Sequence, residues 1–185
     1  MSETDTVSTR SAWRAVGRSM VRFVALAASG WIHQPRERVG ERLAFANGTS
    51  AVIYRETVVD TVGHDVPAVL VVEFRLRAVH GWLHWLFRLE SILNTPLFVG
   101  FPGFASKLWL AHDEHEVYRG IYEWDGAERA VSYAEALSKI LALVCVPGSV
   151  EFHVLPDHER DAWLSDRKGL PANEYHEPRA WWLVA

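Results

Sequence analysis

The sequence predicts an α+β fold in which helices cover one face of a sheet. Polarity alternates over residues 68–79, and helical spacing follows over residues 82–93. Two further alternating segments, residues 104–112 and 117–124, lead into a second helix, and a last strand spans residues 149–155. The order strand, helix, strand, strand, helix, strand is the ferredoxin-like arrangement.

The second helix is the most sharply defined element. Asp125 stands at its predicted N-cap with Glu128 three residues later, which is the spacing of a capping box. Pro147 and Gly148 end the helical pattern. Apolar and aromatic residues at helical spacing predict the helix face that meets the sheet: Ala130, Tyr133, Leu137, Ile140, Leu141 and Val144.

Length and composition restrict the class of function. The chain has 185 residues, 49% of them hydrophobic and 23% charged, which suits one globular domain with a sizeable core. A net charge of −4 makes nucleic acid a poor partner. The single Cys excludes an internal disulfide and a Cys-rich metal site. Nine Trp favour a pocket or an interface built from flat rings.

The N-terminal segment, residues 1–35, is predicted to carry a basic amphipathic helix over residues 11–32. Arg14, Arg18 and Arg22 recur at intervals of four, the spacing of one helical face. Three alternatives remain open for this helix. It docks on the domain, contacts an anionic membrane surface, or is a cleaved signal segment.

The rest of the chain divides into a hairpin extension, a core and a tail. Residues 36–66 are predicted to form a β-hairpin, because Asn47-Gly48 favours a type I′ turn between alternating segments. The ferredoxin-like core covers residues 67–156, and residues 157–185 form a C-terminal tail whose last six residues are able to add a strand.

The sheet face turned away from the helices is predicted to line a cleft. Leu70, Val72 and Phe74 are assigned to the helices, which leaves the alternate residues of the first strand for the other face. Pairing of His112 with Val117 places side chains of the next two strands together. The predicted cleft face contains Glu73, Arg75, Lys107, Trp109, Tyr122, Glu151 and His153.

Three motifs in the core carry a family resemblance. They are GFASKLWL at residues 103–110, YRGIYEW at residues 118–124, and DGAE at residues 125–128, with Tyr133 and Ala134 in the helix that follows. The core resembles the dimeric α+β barrel superfamily, in particular its antibiotic biosynthesis monooxygenase-like and YdhR-like branch. The resemblance implies a homodimer whose two sheets face one another.

Members of this superfamily include cofactor-free oxygenases, isomerases, haem degraders and proteins without known activity. The oxygenases act on electron-rich aromatic substrates without metal or flavin. The resemblance therefore implies a base, a group that stabilises an anionic substrate, and flat apolar walls.

Residues of the predicted cleft match these needs. His153 is the candidate base and Arg75 is the candidate cation. Each also fits a structural role, as a half-buried imidazole or a salt bridge on a strand face. The candidate substrate-binding residues are Trp109, Tyr122, Lys107, Glu73 and Phe101. Trp109 and Tyr122 also fit a core or a dimer interface, Glu73 a salt bridge on a strand face, and Phe101 a plain connecting loop.

The sequence thus favours a small-molecule enzyme, a cofactor-independent monooxygenase or an isomerase or cyclase acting on an aromatic or polyketide-like compound. The alternative is a non-catalytic dimeric protein that binds a small molecule or a partner. We expect no cofactor and no metal, because the acidic and His residues at 112–116 fall in a short turn and His80 with His84 lacks a third ligand. A cytoplasmic location is expected.

Overall fold

The computed structural model describes residues 25, 28–60, 65–77, 99–165 and 180–184. Within these residues, the strands form one antiparallel sheet with helices packed against it. The strands are β1 (Ile32–His33), β2 (Arg42–Ala44), β3 (Ser50–Val59), β4 (Pro67–Arg75), β5 (Phe104–Leu110), β6 (Val117–Asp125) and β7 (Glu151–Pro156), and the helices are α1 (Ala127–Leu141) and α2 (Arg160–Ser165).

The strand order confirms the α+β ferredoxin-like prediction. The sheet runs β1-β3-β5-β6-β4-β7, and β2 also pairs with β3. The core strands β4, β5, β6 and β7 therefore stand in the order second, third, first, fourth, as a ferredoxin-like sheet requires. Helix α1 connects β6 to β7 and packs on β4. The helix predicted over residues 82–93 lies outside the described residues.

The predicted hairpin is confirmed, but the predicted turn type, I′, is wrong. Strands β2 and β3 pair with Leu43 opposite Ala51. The N–H of Gly48 donates to the carbonyl of Phe45 at 2.9 Å, and Gly48 has a φ of 84°. Asn47 does not share that positive φ, which a type I′ turn requires at both central residues. Strand β3 continues along β5, so the hairpin extends the core sheet.

Helix α1 begins with a different cap from the one predicted. Asp125 is the last residue of β6, and Gly126, with a φ of 101°, is the N-cap without a side-chain cap hydrogen bond. The carboxylate of Asp125 instead accepts a hydrogen bond from Arg129. The predicted buried stripe is confirmed through Leu137, whereas Val144 is 53% exposed because α1 ends at Leu141.

The N-terminal helix does not extend to Ile32 as predicted. The N–H of Ser29 donates to the carbonyl of Ala25 in a helical bond, and Gly30 then takes a φ of 70°. Ile32 begins β1 and pairs with Val59. Most of the predicted helix, residues 1–24, lies outside the described residues.

The two faces of the sheet carry separate apolar clusters. On the helix face, Leu70, Val72 and Tyr122 pack against α1 residues such as Tyr133. The outer face is the opposite one and presents Val69, Val71, Leu108 and Ile121. This outer face is covered by the chain itself, through Leu43, Phe45, Leu164, Trp181 and Val184.

The outer face is covered at the place where the predicted homodimer puts a second copy. The resemblance implied that the sheets of two copies face one another. In this chain, Phe45 pairs with Val184 as an isolated bridge, and the N–H of Ala46 donates to the carbonyl of Leu183 at 2.8 Å. Segments distant in sequence from the core therefore occupy the place that a partner sheet was expected to fill.

Candidate functional site

Lys107 lies between two aromatic rings on the helix face. Its side chain starts on β5, where Trp109 is two residues further along and Tyr122 is the cross-strand neighbour on β6. The Nζ atom lies 3.3 Å from the centroid of the Trp109 ring and 4.6 Å from that of Tyr122. Only 5% of Lys107 is exposed. The amine is therefore buried against two aromatic rings.

Gly120 makes room for this arrangement. It stands opposite Trp109 in the β5–β6 pair. A Cβ atom at this position would lie 2.9 Å from Cε2 of Tyr122 and 3.2 Å from Cε of Lys107. A glycine within a strand often marks such a close approach. Its missing side chain allows the Lys107 and Tyr122 side chains to lie across position 120.

Strand β3 adds polar groups to the same cluster. The indole N–H of Trp109 donates to Oγ1 of Thr57 at 3.1 Å, and this buried bond fixes the ring orientation. The register of β3 against β5 shifts between Ile53 and Arg55. This irregularity places Tyr54 beside Trp109, with centroids 6.5 Å apart, and the Cζ of Arg55 at 5.0 Å from the same ring.

We call Arg55, Thr57, Lys107, Trp109, Gly120 and Tyr122 the lysine cluster. Burial, and after it the charge of Arg55, holds the pKa of Lys107 well below its usual value. Burial also lowers the pKa of Arg55, although a guanidinium stays protonated at neutral pH. The cluster therefore combines a permanent cation with an amine that releases its proton easily.

A second layer of aromatic rings lies between the lysine cluster and the backbone of α1. Tyr133 of α1 lies 5.5 Å from Tyr122 and 4.7 Å from Trp124, centroid to centroid. Burial raises the pKa of both tyrosines, so their hydroxyls stay protonated at neutral pH. Phe101 contacts Tyr133 edge-on at 5.2 Å and is partly exposed. Phe101 thus lies at the margin of this aromatic layer.

The structure divides the predicted cleft between the two faces of the sheet. Lys107, Trp109 and Tyr122 share one face, as the predicted hairpin pairing requires, but that face is the helix face. The reason is the β4–β6 register, in which Tyr122 stands opposite Leu70. Placing these three residues on the face away from the helices was therefore wrong.

The remaining cleft residues lie on the outer face. His153 stands opposite Val71 and stacks on Trp182, with centroids 3.9 Å apart and planes 5° apart. Burial lowers the pKa of His153. Arg75 is exposed, and its backbone N–H donates to Oγ of Ser149 at 3.2 Å. Neither side chain reaches the lysine cluster, because the sheet lies between them.

Glu73 belongs to a buried ion cluster on the outer face. Arg119 donates a hydrogen bond to Asp113 at 2.8 Å and forms an ion pair with Glu73, with nitrogen and oxygen 3.0 Å apart. The Asp113 carboxylate also accepts the N–H groups of His115 and Val117, so the turn at residues 112–116 is anchored by a buried side chain rather than solvated throughout. These contacts give Glu73 a structural role on the outer face.

A second buried ion pair fixes α2 to the outer face. Arg160 donates to Glu56 at 2.6 Å and to Asp161 at 2.9 Å, and Asp161 also pairs with Arg38. The N–H of Arg160 donates to Glu123. These contacts connect α2 with β3 and β6, so α2 stays packed on the outer face and covers it there.

Sequence reasoning missed Arg55, Thr57 and Gly120 as members of the cluster. Gly120 was visible as a glycine inside a predicted strand, which signals a close approach. Arg55 and Thr57 depend on the pairing of β3 with β5 and on its register shift, and no local pattern indicates either. Among the described residues, no group of His, Cys, Asp and Glu forms a metal site, and no helix is long and apolar enough to span a membrane.

A comparison with solved structures finds several that are similar to this chain. Solved structures similar to this chain include a ferredoxin-fold protein related to antibiotic biosynthesis monooxygenases from Listeria monocytogenes (16% identity, TM-score 0.41, covering 60% of this chain and 66% of that one). A major regulator of staphylococcal pathogenesis matches at 12% identity and TM-score 0.42, covering 60% of this chain and 70% of that one. A monooxygenase-like protein from Listeria innocua matches at 13% identity and TM-score 0.39, covering 61% of this chain and 66% of that one.

At these identities and TM-scores the similarities carry nothing about the chemistry of this chain. The fold assignment itself rests on the strand order described above. No protein-family model and no curated protein matches the sequence.

Proposed function

We propose that this protein is a small-molecule enzyme that binds a flat, electron-rich aromatic compound at the lysine cluster and oxidises it with molecular oxygen. One observation carries the proposal: a buried amine lies 3.3 Å from the Trp109 ring centroid and 4.6 Å from the Tyr122 centroid, with Arg55 beside the same indole. This arrangement supplies a base, a cation and flat walls together on the helix face.

The proposed reaction begins with proton transfer to Nζ of Lys107. The substrate loses a proton from a phenolic oxygen or an activated carbon, and Arg55 stabilises the anion that forms. At an activated methylene, oxygen then adds to carbon and water leaves, so that one methylene group and one molecule of oxygen give one carbonyl group and one molecule of water. With a hydroquinone, two electrons and two protons pass to molecular oxygen, giving a quinone and hydrogen peroxide.

The catalytic roles predicted for His153 and Arg75 remain a separate proposal. Both side chains are on the outer face, so they serve a substrate only if that face opens. The two proposals therefore place the base on opposite sides of the sheet. Substitution of each candidate base separates them.

The test is oxygen uptake with a panel of anthrones and hydroquinones, without added metal or flavin. Loss of a general base costs about 10²- to 10⁴-fold in rate. Lys107→Met is expected to lower uptake by such a factor, whereas His153→Gln is expected to retain it. The reverse result moves the reaction to the outer face. No uptake by the unmodified protein with any compound contradicts the oxygenase proposal.

A non-catalytic binding protein is the second candidate. It is favoured over catalysis if the closely packed cluster, where Trp109 is 6% exposed and Tyr122 is 2% exposed, opens only far enough to hold a ligand. In that case the same compounds bind, with saturable quenching of tryptophan fluorescence that Trp109→Phe weakens, and no oxygen is consumed.

We also infer a homodimer in the cytoplasm for either candidate. Because the outer face is covered, such a dimer has to use another surface or release the C-terminal residues 180–184. Contact of the N-terminal helix with a membrane surface concerns residues outside the described part of the chain, and nothing in the described residues supports it.

A further inference from the structure

Lys107 is an unusual choice of residue in this chain. Of the 19 basic residues, three are lysines, at positions 107, 139 and 168, and the others are arginines. Lys139 is exposed near the end of α1, whereas Lys107 is almost completely buried. Of the basic groups at the Trp109 ring, Lys107 is the one that is able to lose its proton and act as a nucleophile, because Arg55 stays protonated.

The surroundings of Nζ suit a nucleophilic amine. Two conditions activate a lysine amine: removal from water and proximity to another cation. The rings of Trp109 and Tyr122 supply the first condition, and Arg55 at the same indole supplies the second. Because Gly120 has no side chain, the aliphatic part of Lys107 is able to lie across position 120. Its amine then lies against the two rings.

We propose that Nζ of Lys107 forms an imine with the carbonyl carbon of a small aromatic aldehyde or ketone held against Trp109 and Tyr122. The amine attacks the carbonyl carbon, a carbinolamine forms, and the carbonyl oxygen leaves as water. One carbonyl group and one primary amine thus give one C=N bond and one molecule of water, without oxidant or reductant. This inference deepens the proposed function, because it names a substrate class for the same cluster.

The electrostatics agree with the geometry. The lowered pKa of Lys107, caused first by burial and then by Arg55, leaves a larger fraction of this amine unprotonated near neutral pH than at an exposed lysine. Arg55 cannot take over the covalent step, since a guanidinium does not deprotonate in proteins. Its charge instead favours a ligand with a phenolate or a carboxylate beside the carbonyl.

Reductive trapping tests the inference directly. The full chain is incubated near pH 7 with 4-hydroxybenzaldehyde and cyanoborohydride, digested, and mapped by mass spectrometry. We expect a reduced hydroxybenzyl adduct on Lys107 at a level several-fold above that on the exposed Lys139. Equal labelling of Lys107, Lys139, Lys168 and the N-terminal amine overturns the inference, and so does absence of the adduct from Lys107.

Variants and a second substrate class make the result specific. Lys139→Arg is the matched control and is expected to keep the Lys107 adduct, while Lys107→Arg is expected to abolish it with the basic charge retained. Because peptide mapping of the unmodified chain is decisive by itself, a variant that fails to fold leaves the test intact. Hydroquinone has no carbonyl, so hydroquinone-dependent oxygen uptake without a Lys107 adduct rejects the imine and leaves the oxygenase proposal standing.

Discussion

The imidazole of His153 lies flat on the indole of Trp182, with ring centroids 3.9 Å apart and planes 5° apart. This contact joins strand β7 to the C-terminal segment that covers the outer face. It explains why a titratable residue predicted to act in a cleft is instead half-buried under another part of the chain. Protonation of His153 is therefore expected to affect the packing of residues 180–184 on the outer face.

Stability is expected to fall as the pH drops through the range in which His153 titrates. Burial lowers the pKa of His153 in the folded chain, so the unfolded chain takes up its proton first, near the ordinary value of 6.5. The stabilisation by the neutral ring is complete above that value and is lost as the pH falls towards the folded-state pKa. Thermal melts at a series of pH values measure this loss.

The variant His153→Phe keeps a flat ring on Trp182 and removes the proton. We expect its Tm to decline less than that of the parent between about pH 7.5 and pH 5. His115→Gln, at an exposed position, is the control and is expected to follow the parent curve. Identical pH dependence in His153→Phe and the parent contradicts the assignment.

The C-terminal segment is expected to stabilise the fold by covering the outer face. Val184 is 4% exposed and pairs with Phe45. Val184→Asp places a charge in this apolar contact, and we expect a loss of about 2–4 kcal/mol in the free energy of unfolding, with new self-association through the exposed face. Denaturant titration and light scattering at micromolar concentration give the two readouts.

Val131→Asp is the matched control, because Val131 is 36% exposed on α1. It is expected to change the free energy of unfolding by less than about 0.5 kcal/mol. Parent-like stability and mass in Val184→Asp would show that residues 180–184 do not hold the face closed. The mass of the unmodified chain, 21.0 kDa for a monomer, tests the inferred homodimer in the same experiment.

Local patterns were sufficient to predict strands β2 to β7, the second helix and one hairpin register, but not β1 at Ile32, where a helix was predicted. The predicted pairing of His112 with Val117 corresponds to the observed register, in which Leu110 stands opposite Arg119. Polarity alternation and a short connection determine such a frame, because both strands are adjacent in sequence. The α+β order followed from the same kind of local information.

The candidate site depended on relationships between distant segments. Tyr122 faces α1 because β6 pairs with β4 in the register that places it opposite Leu70. Arg55 joins the cluster through a register shift in β3. Trp182 reaches His153 from the far end of the chain. Nothing in the alternation within one strand specifies which face a distant segment will cover, so the predicted cleft combined residues from both faces.

The buried ion cluster on the outer face is expected to be strongly coupled. Arg119 donates to Asp113 at 2.8 Å, and both side chains are 1% exposed. Arg119→Met leaves the Asp113 carboxylate buried without its cation, so we expect a loss of about 3–5 kcal/mol. The double variant with Asp113→Asn is expected to lose less than the sum of the two single changes.

An exposed pair provides the comparison for this double-mutant cycle. Arg129 pairs with Asp125 at the start of α1, with side chains 53% and 30% exposed. The corresponding cycle with Arg129→Met and Asp125→Asn is expected to give a coupling of about 0–1 kcal/mol. Equal couplings in the two cycles would show that burial does not strengthen the Arg119–Asp113 pair.

Gly120→Ala is expected to disturb the lysine cluster without changing any of its functional groups. The new Cβ would lie 2.9 Å from Cε2 of Tyr122, a ring that Tyr133 hinders from moving, and 3.2 Å from Cε of Lys107. Overpacking of this kind costs about 1–3 kcal/mol, so we expect a loss of that size in denaturant titration.

The same substitution in a Lys107→Ala background tests whether the lysine stem causes part of that loss. Removing Cε leaves the Tyr122 contact alone, so the cost of Gly120→Ala is expected to be smaller there than in the parent, because neighbouring residues couple. In the Lys107-containing chain, displacement of the amine from Trp109 is also expected to reduce trapping by 4-hydroxybenzaldehyde. An unchanged adduct yield together with parent-like stability would mean that position 120 does not position the amine.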